Sequence, residues 1–290
     1  MPASGVARNA RLLTEAANPL RLARWLGSNF IARCTSIGDI LAILWASFLL
    51  AARPQSWSPP VRTIFARQLL FSCVDAFFVA CRFGAAVGIL VIVQAALWID
   101  TLGVGIDTIT PMLRQIIIRE IAPLLACLVV IGRSGVAIST ELATMLVNGE
   151  IEVLEAQGID PMTALVMPRV LGIIISVFCV ALILVCSMIL TGYAIGWSMG
   201  AIRDNWGTFL DSIIRGLASL DLLFFLSKTL VAGGFAGAIC CNDGLSVRGT
   251  LSDVPRVSSR SGIRALTAVF IVSAVLSILI YRRILVFNLF

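Results

Sequence analysis

The amino-acid sequence predicts an all-α integral membrane protein with interfacial N-terminal helices and five transmembrane helices. The composition is 59% hydrophobic and only 13% charged, about half the charge of an ordinary soluble domain. Apolar segments long enough to cross a bilayer recur along the 290 residues, and proline-rich or arginine-rich stretches separate them. This pattern is typical of a multi-pass membrane protein.

The N-terminal region, residues 1–74, is predicted to lie on the cytoplasmic side and to carry interfacial helices. Residues 37–52 are apolar but too short to span a bilayer comfortably, so we expect a helix in the headgroup region. Residues 61–74 form a second amphipathic segment, with Arg62 and Arg67 on its polar side. Arg67 is expected to serve a structural or ion-pairing role.

The rest of the chain, residues 75–290, contains the five predicted spans. These cover residues 75–99, 111–132, 170–197, 222–241 and 263–285. The third span carries no charge and has the clearest signal. Placing the N-terminus inside assigns thirteen arginines to cytoplasmic segments and four to external ones, which favours a cytoplasmic N-terminus and a periplasmic C-terminus. Arg282 and Arg283, at the external end, oppose this orientation.

Several classes of protein are excluded by residues that the sequence lacks. There is no histidine, and Lys228, the only lysine, follows Ser227. A Walker A motif requires Gly-Lys-Ser/Thr, so the chain is not an ATPase. The eight cysteines form no CxxC pair, and we expect no disulfide, metal site or cofactor. Basic clusters interleaved with aromatics are missing, so nucleic acid is not an expected partner.

The segment between the second and third spans, residues 139–169, predicts a short amphipathic helix over residues 141–157. Gly158 suits the end of that helix, and Pro161 stops it. Such a helix can fit a groove on a soluble partner and transmit its motion. A solvated acidic helix with no partner explains the same pattern equally well. The candidate coupling residues are Glu141, Met145, Glu150, Glu152, Leu154 and Glu155.

The same region resembles the MlaE/YrbE permease family, the membrane subunits of MCE-associated lipid transporters. The family pattern contains RE-[LI]-x-P, AGRxGSAxxAE[IL], a coupling helix, DP and PR. The matching residues are Arg119, Glu120, Pro123, Gly132, Arg133, Gly135, Ala137, Glu141, Met145, Gly158, Asp160, Pro161, Pro168 and Arg169. Weaker resemblance extends over roughly residues 60–280.

This resemblance implies an ABC transporter that moves lipid, with phospholipid the expected cargo, in the cytoplasmic (inner) membrane of a bacterium. It implies a homodimer of permeases, two ABC ATPase subunits, an MCE-domain protein and, in some systems, a STAS-type protein. The lipid would occupy a cavity between the two permease copies, and the permease itself would be non-catalytic.

The sequence departs from the family pattern at two places. The family's T-E-Q in the coupling helix is replaced by Asn148-Gly149-Glu150, and Gly149 costs about 1 kcal/mol of helix propensity relative to Ala. The family's Gly-rich stretch after span four is replaced by SDVPRVSSRSG, residues 252–262. Both departures bear on which ATPase binds, and on whether a STAS protein takes part.

Arg119 and Glu120 are charges inside the second predicted span. Such charges cost roughly 2.5–3.5 kcal/mol each on insertion scales, so they should face a cavity or a partner. We expect Arg119 to bind a headgroup phosphate, and Glu120 to shape the polar end of the cavity or to bind the MCE partner. The alternative is a structural ion pair with another helix, through Lys228 or Arg82.

The remaining candidates are expected to be structural or to line the cavity. Arg82 and Lys228 are placed to neutralise Glu120 or Asp75, and Asp221 to pair with an arginine. Arg133, together with Glu141, is expected to be architectural, beside Gly132 and Gly135. One face of span one is the expected lipid contact, with ordinary lipid-facing surface as the alternative. That face comprises Leu90, Val91, Gln94 and Leu97.

Two further functions compete with transport. An intramembrane lipid-modifying enzyme would need a clustered nucleophile and base, for which only Glu120, Asp75 or Lys228 is available. A membrane anchor that only docks partner proteins would need neither a cavity nor a site. A permease should purify with an ATPase and an MCE protein, whereas an enzyme should work alone.

Overall fold

The computed structural model describes residues 19–102, 114–200, 205–217, 219–247 and 249–287. Within these ranges, side chains are described from residue 35 onward, apart from 95–102, 212, 219 and 283–287. The chain divides into two units, residues 1–43 and residues 44–290. The site discussed below lies wholly within the second unit.

Every regular element in the described residues is helical. The α-helices are α1 (Pro19–Ala51), α2 (Pro59–Leu69), α3 (Phe77–Leu102), α4 (Ala122–Val130), α5 (Val136–Val147), α6 (Glu150–Ala156), α7 (Met167–Ser198), α8 (Trp206–Arg215), α9 (Ser219–Leu245) and α10 (Val254–Phe287). Single π-helical turns occur at Leu70–Val74, Ile117–Ile121, Ile131–Gly135 and Met162–Val166, and 3₁₀ turns at Pro54–Ser56 and Leu251–Asp253.

Five continuous helical segments are long and apolar enough to cross a membrane, which confirms the predicted fold class. Spans one to five are Pro59–Gln94, Arg114–Val147, Met162–Ser198, Leu220–Leu245 and Leu251–Arg282. Several extend well past the predicted bounds, because the helices continue beyond their apolar stretches. The apolar part of α1, Thr35–Ala51, is shorter than these spans.

The predicted helix over residues 141–157 is divided into two helices in the structure. Helix α5 ends at Val147 and α6 begins at Glu150. Gly149 between them has φ of +75°, a left-handed conformation that glycine adopts without the steric cost borne by other residues. Gly149, which departs from the family pattern, therefore forms a left-handed turn that separates α5 from α6.

Two of the π-helical turns end shortly before a proline. Ile117–Ile121 precedes Pro123, and Met162–Val166 precedes Pro168. A proline lacks the amide hydrogen, and its ring clashes with the carbonyl four residues back. A locally widened turn relieves that clash, so spans two and three stay continuous. The first of these turns carries both Arg119 and Glu120.

Small residues allow span three to pack closely against its neighbours. A Cβ on Gly88 of span one would lie 2.5 Å from Thr191 Oγ1, and one on Gly237 of span four would lie 3.3 Å from Val170 Cα. In membranes, close backbone approach through small residues is a main source of helix association. Span three therefore forms the centre of the bundle.

Candidate functional site

Four charged side chains near one end of the bundle form what we call the first ion-pair layer. Arg119 Nε of span two donates to Asp221 Oδ1 of span four, and both side chains are buried, at 8% and 2% exposure. Lys228 Nζ of span four lies 2.5 Å from Glu120 Oε2 of span two. Adjacent charges on span two thus bind two different charges on span four.

Polar and aromatic groups complete this layer. Ser277 of span five donates to Glu120 Oε1 at 3.0 Å, which ties a third helix to the cluster. The Arg119 guanidinium lies 4.7 Å from the Phe224 ring centroid and 5.9 Å from that of Tyr281. Lys228 is fully buried, whereas the Glu120 side chain is 31% exposed. Glu120 is therefore the member of the layer that is most open to a ligand.

Three further pairs form a second ion-pair layer towards the other end of the same helices. Each joins two spans: Asp75–Arg133, Glu141–Arg169 and Asp243–Arg264. Their shortest carboxylate–guanidinium distances are 3.2, 2.8 and 2.5 Å respectively. Arg133 Nη1 also donates to the Asp75 backbone carbonyl, and its guanidinium lies 5.5 Å from the Phe71 ring centroid.

Arg169 connects the second layer to the segment between spans two and three. Its side chain is 4% exposed, whereas that of its partner Glu141 is 57% exposed. Arg169 Nη2 also lies 4.0 Å from Met145 Sδ. Glu141 and Met145 are both on α5, so Arg169 holds α5 against span three. From the sequence alone, Arg169 is a family-motif residue with no predicted partner.

The two layers enclose an apolar zone. From Arg119 to Arg133 along span two is roughly 21 Å, and from Lys228 to Asp243 along span four is roughly 22 Å, at a rise of 1.5 Å per residue. A bilayer hydrocarbon core is about 30 Å thick. Pairing opposite charges at both edges of this zone lowers the cost of placing them near lipid. Asp75, Glu120 and Lys228, the residues that an enzyme would need, each belong to such a pair.

The short helix α6 presents acidic and apolar groups on its surface. Glu150, Glu152 and Glu155 are exposed, and Val153 is 56% exposed. Leu154 is half-buried and Ile151 is buried. Asp160 caps the start of span three. Its carboxylate accepts hydrogen bonds from the Met162 and Thr163 backbone amides at 3.2 Å.

The predicted cavity face of span one is on the surface of the chain. Leu90 is 68% exposed, Gln94 is exposed and Val91 is half-buried, whereas the side chain of Leu97 lies outside the described residues. Arg82 is exposed on the same span, and its Nε donates to the Phe78 carbonyl of its own helix at 3.3 Å. Arg82 does not contact Glu120 or Asp75, the two partners that the sequence suggested.

Sequence reasoning found the charges of the first layer but not all of their contacts. Phe224, Ser277 and Tyr281 carry no sequence signal that separates them from other span residues. Arg67 lies exposed on α2, and it forms no ion pair with the part of the chain that the structure describes. The three pairs of the second layer also depend on helix packing, which spacing along the chain does not give.

Five membrane-length helices, with charges inside the bundle held in two paired layers, define a multi-pass integral membrane protein. A family model described as Permease MlaE matches residues 65–279. Because this match covers well over half of the sequence, the chain belongs to the MlaE permease family. The resemblance seen in the sequence is thereby confirmed.

Three individual proteins are similar to this chain in sequence. A probable ABC transporter permease protein of Rickettsia typhi is 28% identical over 226 residues, covering 78% of this chain and 84% of the relative. A probable ABC transporter permease protein of Synechocystis is 32% identical over 177 residues, 60% of this chain and 66% of the relative. The chloroplastic protein TRIGALACTOSYLDIACYLGLYCEROL 1 of Arabidopsis thaliana is 29% identical over 164 residues, 55% of this chain and 45% of the relative.

The chain is therefore a permease subunit of an ABC transporter. A permease of this kind implies separate ATPase subunits as partners, which agrees with the lack of a Walker A motif in this sequence.

Proposed function

We propose that the chain is the non-catalytic, lipid-conducting permease of an ABC transporter in the cytoplasmic membrane of a bacterium. Two copies would form a cavity for phospholipid and exchange that lipid with an MCE-domain protein. ATP hydrolysis by the partner subunits would switch the cavity between open and collapsed states. Membership of the MlaE permease family, over residues 65–279, is the observation that carries this proposal.

The lipid cargo is supported by a relative and by the chemistry of the bundle. The name of the Arabidopsis relative contains that of a galactolipid, trigalactosyldiacylglycerol. Within this chain, the apolar zone between the two ion-pair layers matches acyl chains better than it matches a polar solute. Glu120, partly exposed beside Lys228 and Ser277, offers a polar edge for a headgroup.

The exposed surface of span one supports a cavity between two copies. Arg82 is a charge in an apolar span and is exposed on the surface of the chain. A charge at that depth is costly unless it meets a partner or a wet cavity. Leu90 and Gln94 extend the same helix with one apolar and one polar exposed side chain. We assign this mixed surface to the cavity, where it would contact lipid from both copies.

Coupling to the ATPase is assigned to α6 and the end of α5. The exposed Glu150, Glu152, Val153 and Glu155 form a small surface that can enter a groove on a soluble partner. Movement of this surface would pass to span three through the Glu141–Arg169 pair. In the proposed orientation the second ion-pair layer and α6 face the cytoplasm, and the first layer faces the periplasm.

Co-purification tests this proposal. The tagged chain, expressed from its native locus and extracted in mild detergent, should bring along an ABC ATPase and an MCE protein. The mass of the purified complex should account for two permease copies, and phospholipid should be detected in the complex by mass spectrometry. A chain that purifies alone and lipid-free, yet remains folded, would contradict the proposal.

A further inference from the structure

A cavity of about 580 Å³ lies where span four ends and span five begins, away from the first ion-pair layer and from α6. Its lining includes Asp243, Gly249, Asp253, Arg256, Arg260 and Arg264. The three arginines recur at intervals of four residues on one helix, so they share one face of α10. In the sequence, residues 252–262 stand out only as a departure from the family pattern.

The carboxylates of the cavity already have partners. Asp243 Oδ1 accepts from Arg264 Nη1 at 2.5 Å. Asp253 Oδ2 accepts from the Thr250 amide at 3.0 Å and closes the turn that begins span five. Neither Arg256 nor Arg260 forms an ion pair with the residues that the structure describes, and both are exposed. The cavity therefore keeps two guanidinium groups for a ligand.

The floor of the cavity offers a hydrogen-bond acceptor as well. Asp243 is 3% exposed, and its second carboxylate oxygen, Oδ2, accepts no hydrogen bond from the described residues. A buried acceptor without a donor is costly. A ligand that brings both an anionic oxygen and a hydroxyl would satisfy the arginines and this oxygen together.

The depth of the cavity matches the headgroup region. Span five, Leu251–Arg282, has 32 residues and a length of roughly 48 Å, against about 30 Å for a hydrocarbon core. Its apolar part begins after Arg264. At 1.5 Å per residue, Arg256 and Arg260 therefore lie roughly 12 and 6 Å from Arg264 along the helix, on the side away from the apolar part. Guanidinium groups are well suited to bind phosphate through paired hydrogen bonds.

We propose that this cavity binds a phosphate group, through Arg256 and Arg260, at the membrane surface opposite the first ion-pair layer. The phosphate belongs either to a lipid headgroup or to a soluble phosphate. The site is separate from the proposed transport cavity, and it does not depend on the lipid-conducting role.

Binding measurements on the purified chain in neutral detergent test the proposal. The probes are dioctanoyl phosphatidic acid in mixed micelles, inorganic phosphate, and dioctanoylglycerol as the phosphate-free counterpart. We expect phosphatidic acid to bind and dioctanoylglycerol not to bind at this site. The double variant Arg256→Gln/Arg260→Gln should weaken phosphatidic acid binding at least tenfold. The charge-matched control, Arg53→Gln/Arg62→Gln, changes two exposed arginines outside the cavity and should bind as the wild type does.

A charge-conserving variant separates phosphate binding from folding defects. Arg256→Lys/Arg260→Lys keeps both exposed positive charges but lacks the paired hydrogen bonds of a guanidinium, so phosphatidic acid should bind a few-fold more weakly than to the wild type and more tightly than to the double Gln variant. Inorganic phosphate that binds as tightly as phosphatidic acid would identify a soluble phosphate as the ligand; much weaker binding would identify a lipid. The proposal fails if the double Gln variant and the Arg53→Gln/Arg62→Gln control bind phosphatidic acid alike.

Discussion

Arg119 and Glu120 are neighbours in sequence, yet each binds a different residue of span four. Adjacent residues on a helix point about 100° apart, so they cannot pair with each other. The π-helical turn before Pro123 carries both residues. Arg119 meets buried Asp221, and Glu120 meets buried Lys228. The residue-level contacts favour a structural contribution from Arg119, whereas Glu120 is open enough to serve both the fold and a ligand.

Breaking the Arg119–Asp221 pair from one side should destabilise the protein. Arg119→Ala leaves Asp221 charged and buried, and removing one partner of a buried pair typically costs about 3–5 kcal/mol. We expect a clear fall in the unfolding temperature of the purified chain. Arg119→Ala/Asp221→Ala should recover much of the loss, because both members of the ion pair are then removed together. A double variant as unstable as the sum of the two single variants would contradict direct pairing.

The sequence predicts these charges well but their partners only partly. Composition and insertion cost single out Arg119, Glu120, Asp221 and Lys228, because charges in apolar segments are rare. The choice of Lys228 over Arg82 as the partner of Glu120 depends on which faces of spans two and four meet. Helical spacing along one chain segment contains no information on that packing.

At the scale of elements, close packing and the left-handed turn at Gly149 determine how the helices are arranged. Span three is packed against spans one and four through Gly88 and Gly237. Gly149 separates α5 from α6, and Arg169 holds α5 to span three. The sequence predicts five spans because an apolar run of about 20 residues forms a membrane helix in preference to other structures. The sequence does not predict the left-handed turn at Gly149, because the amphipathic spacing of residues continues across 141–157.

Span packing is tested by enlarging Gly88. A Cβ there would lie 2.5 Å from Thr191 Oγ1 and 2.7 Å from the Met188 carbonyl, so Gly88→Val should force spans one and three apart. The unfolding temperature in detergent should fall by several degrees. Gly207→Val is the control, since a Cβ at Gly207 meets nothing within 4 Å. Equal stability of the two variants would contradict the packing described here.

Coupling through α6 is tested by charge reversal. Glu152→Lys places a cation on an exposed surface, so folding should be unaffected while docking to the ATPase weakens. We expect lipid-stimulated ATP hydrolysis by the reconstituted complex to fall several-fold. Asp211→Lys, an exposed acidic residue on α8, provides a matched reversal that should leave hydrolysis unchanged. Normal ATP hydrolysis by a complex that carries Glu152→Lys would contradict the assignment of α6 to the coupling surface.

At the scale of the whole molecule, the two ion-pair layers mark opposite ends of the membrane spans. The arginine count favours a cytoplasmic N-terminus, and in that proposed orientation α6 and the second layer would lie on the cytoplasmic side. A membrane-impermeant thiol label should then reach a cysteine introduced at the exposed Asn205 in intact cells, and one at the exposed Asn148 only after lysis. Labelling in the reverse order would overturn this orientation.

The central claim, that this permease moves lipid at the expense of ATP hydrolysed by its partners, is tested most directly in proteoliposomes. The complete complex is reconstituted with fluorescent phospholipid, and exchange of that lipid with its MCE partner is followed after ATP is added. We predict exchange that requires hydrolysable ATP and that falls when Glu120→Gln weakens the polar edge of the cavity. Exchange at the same rate with a non-hydrolysable ATP analogue, or no exchange by an intact complex that hydrolyses ATP, would contradict the account.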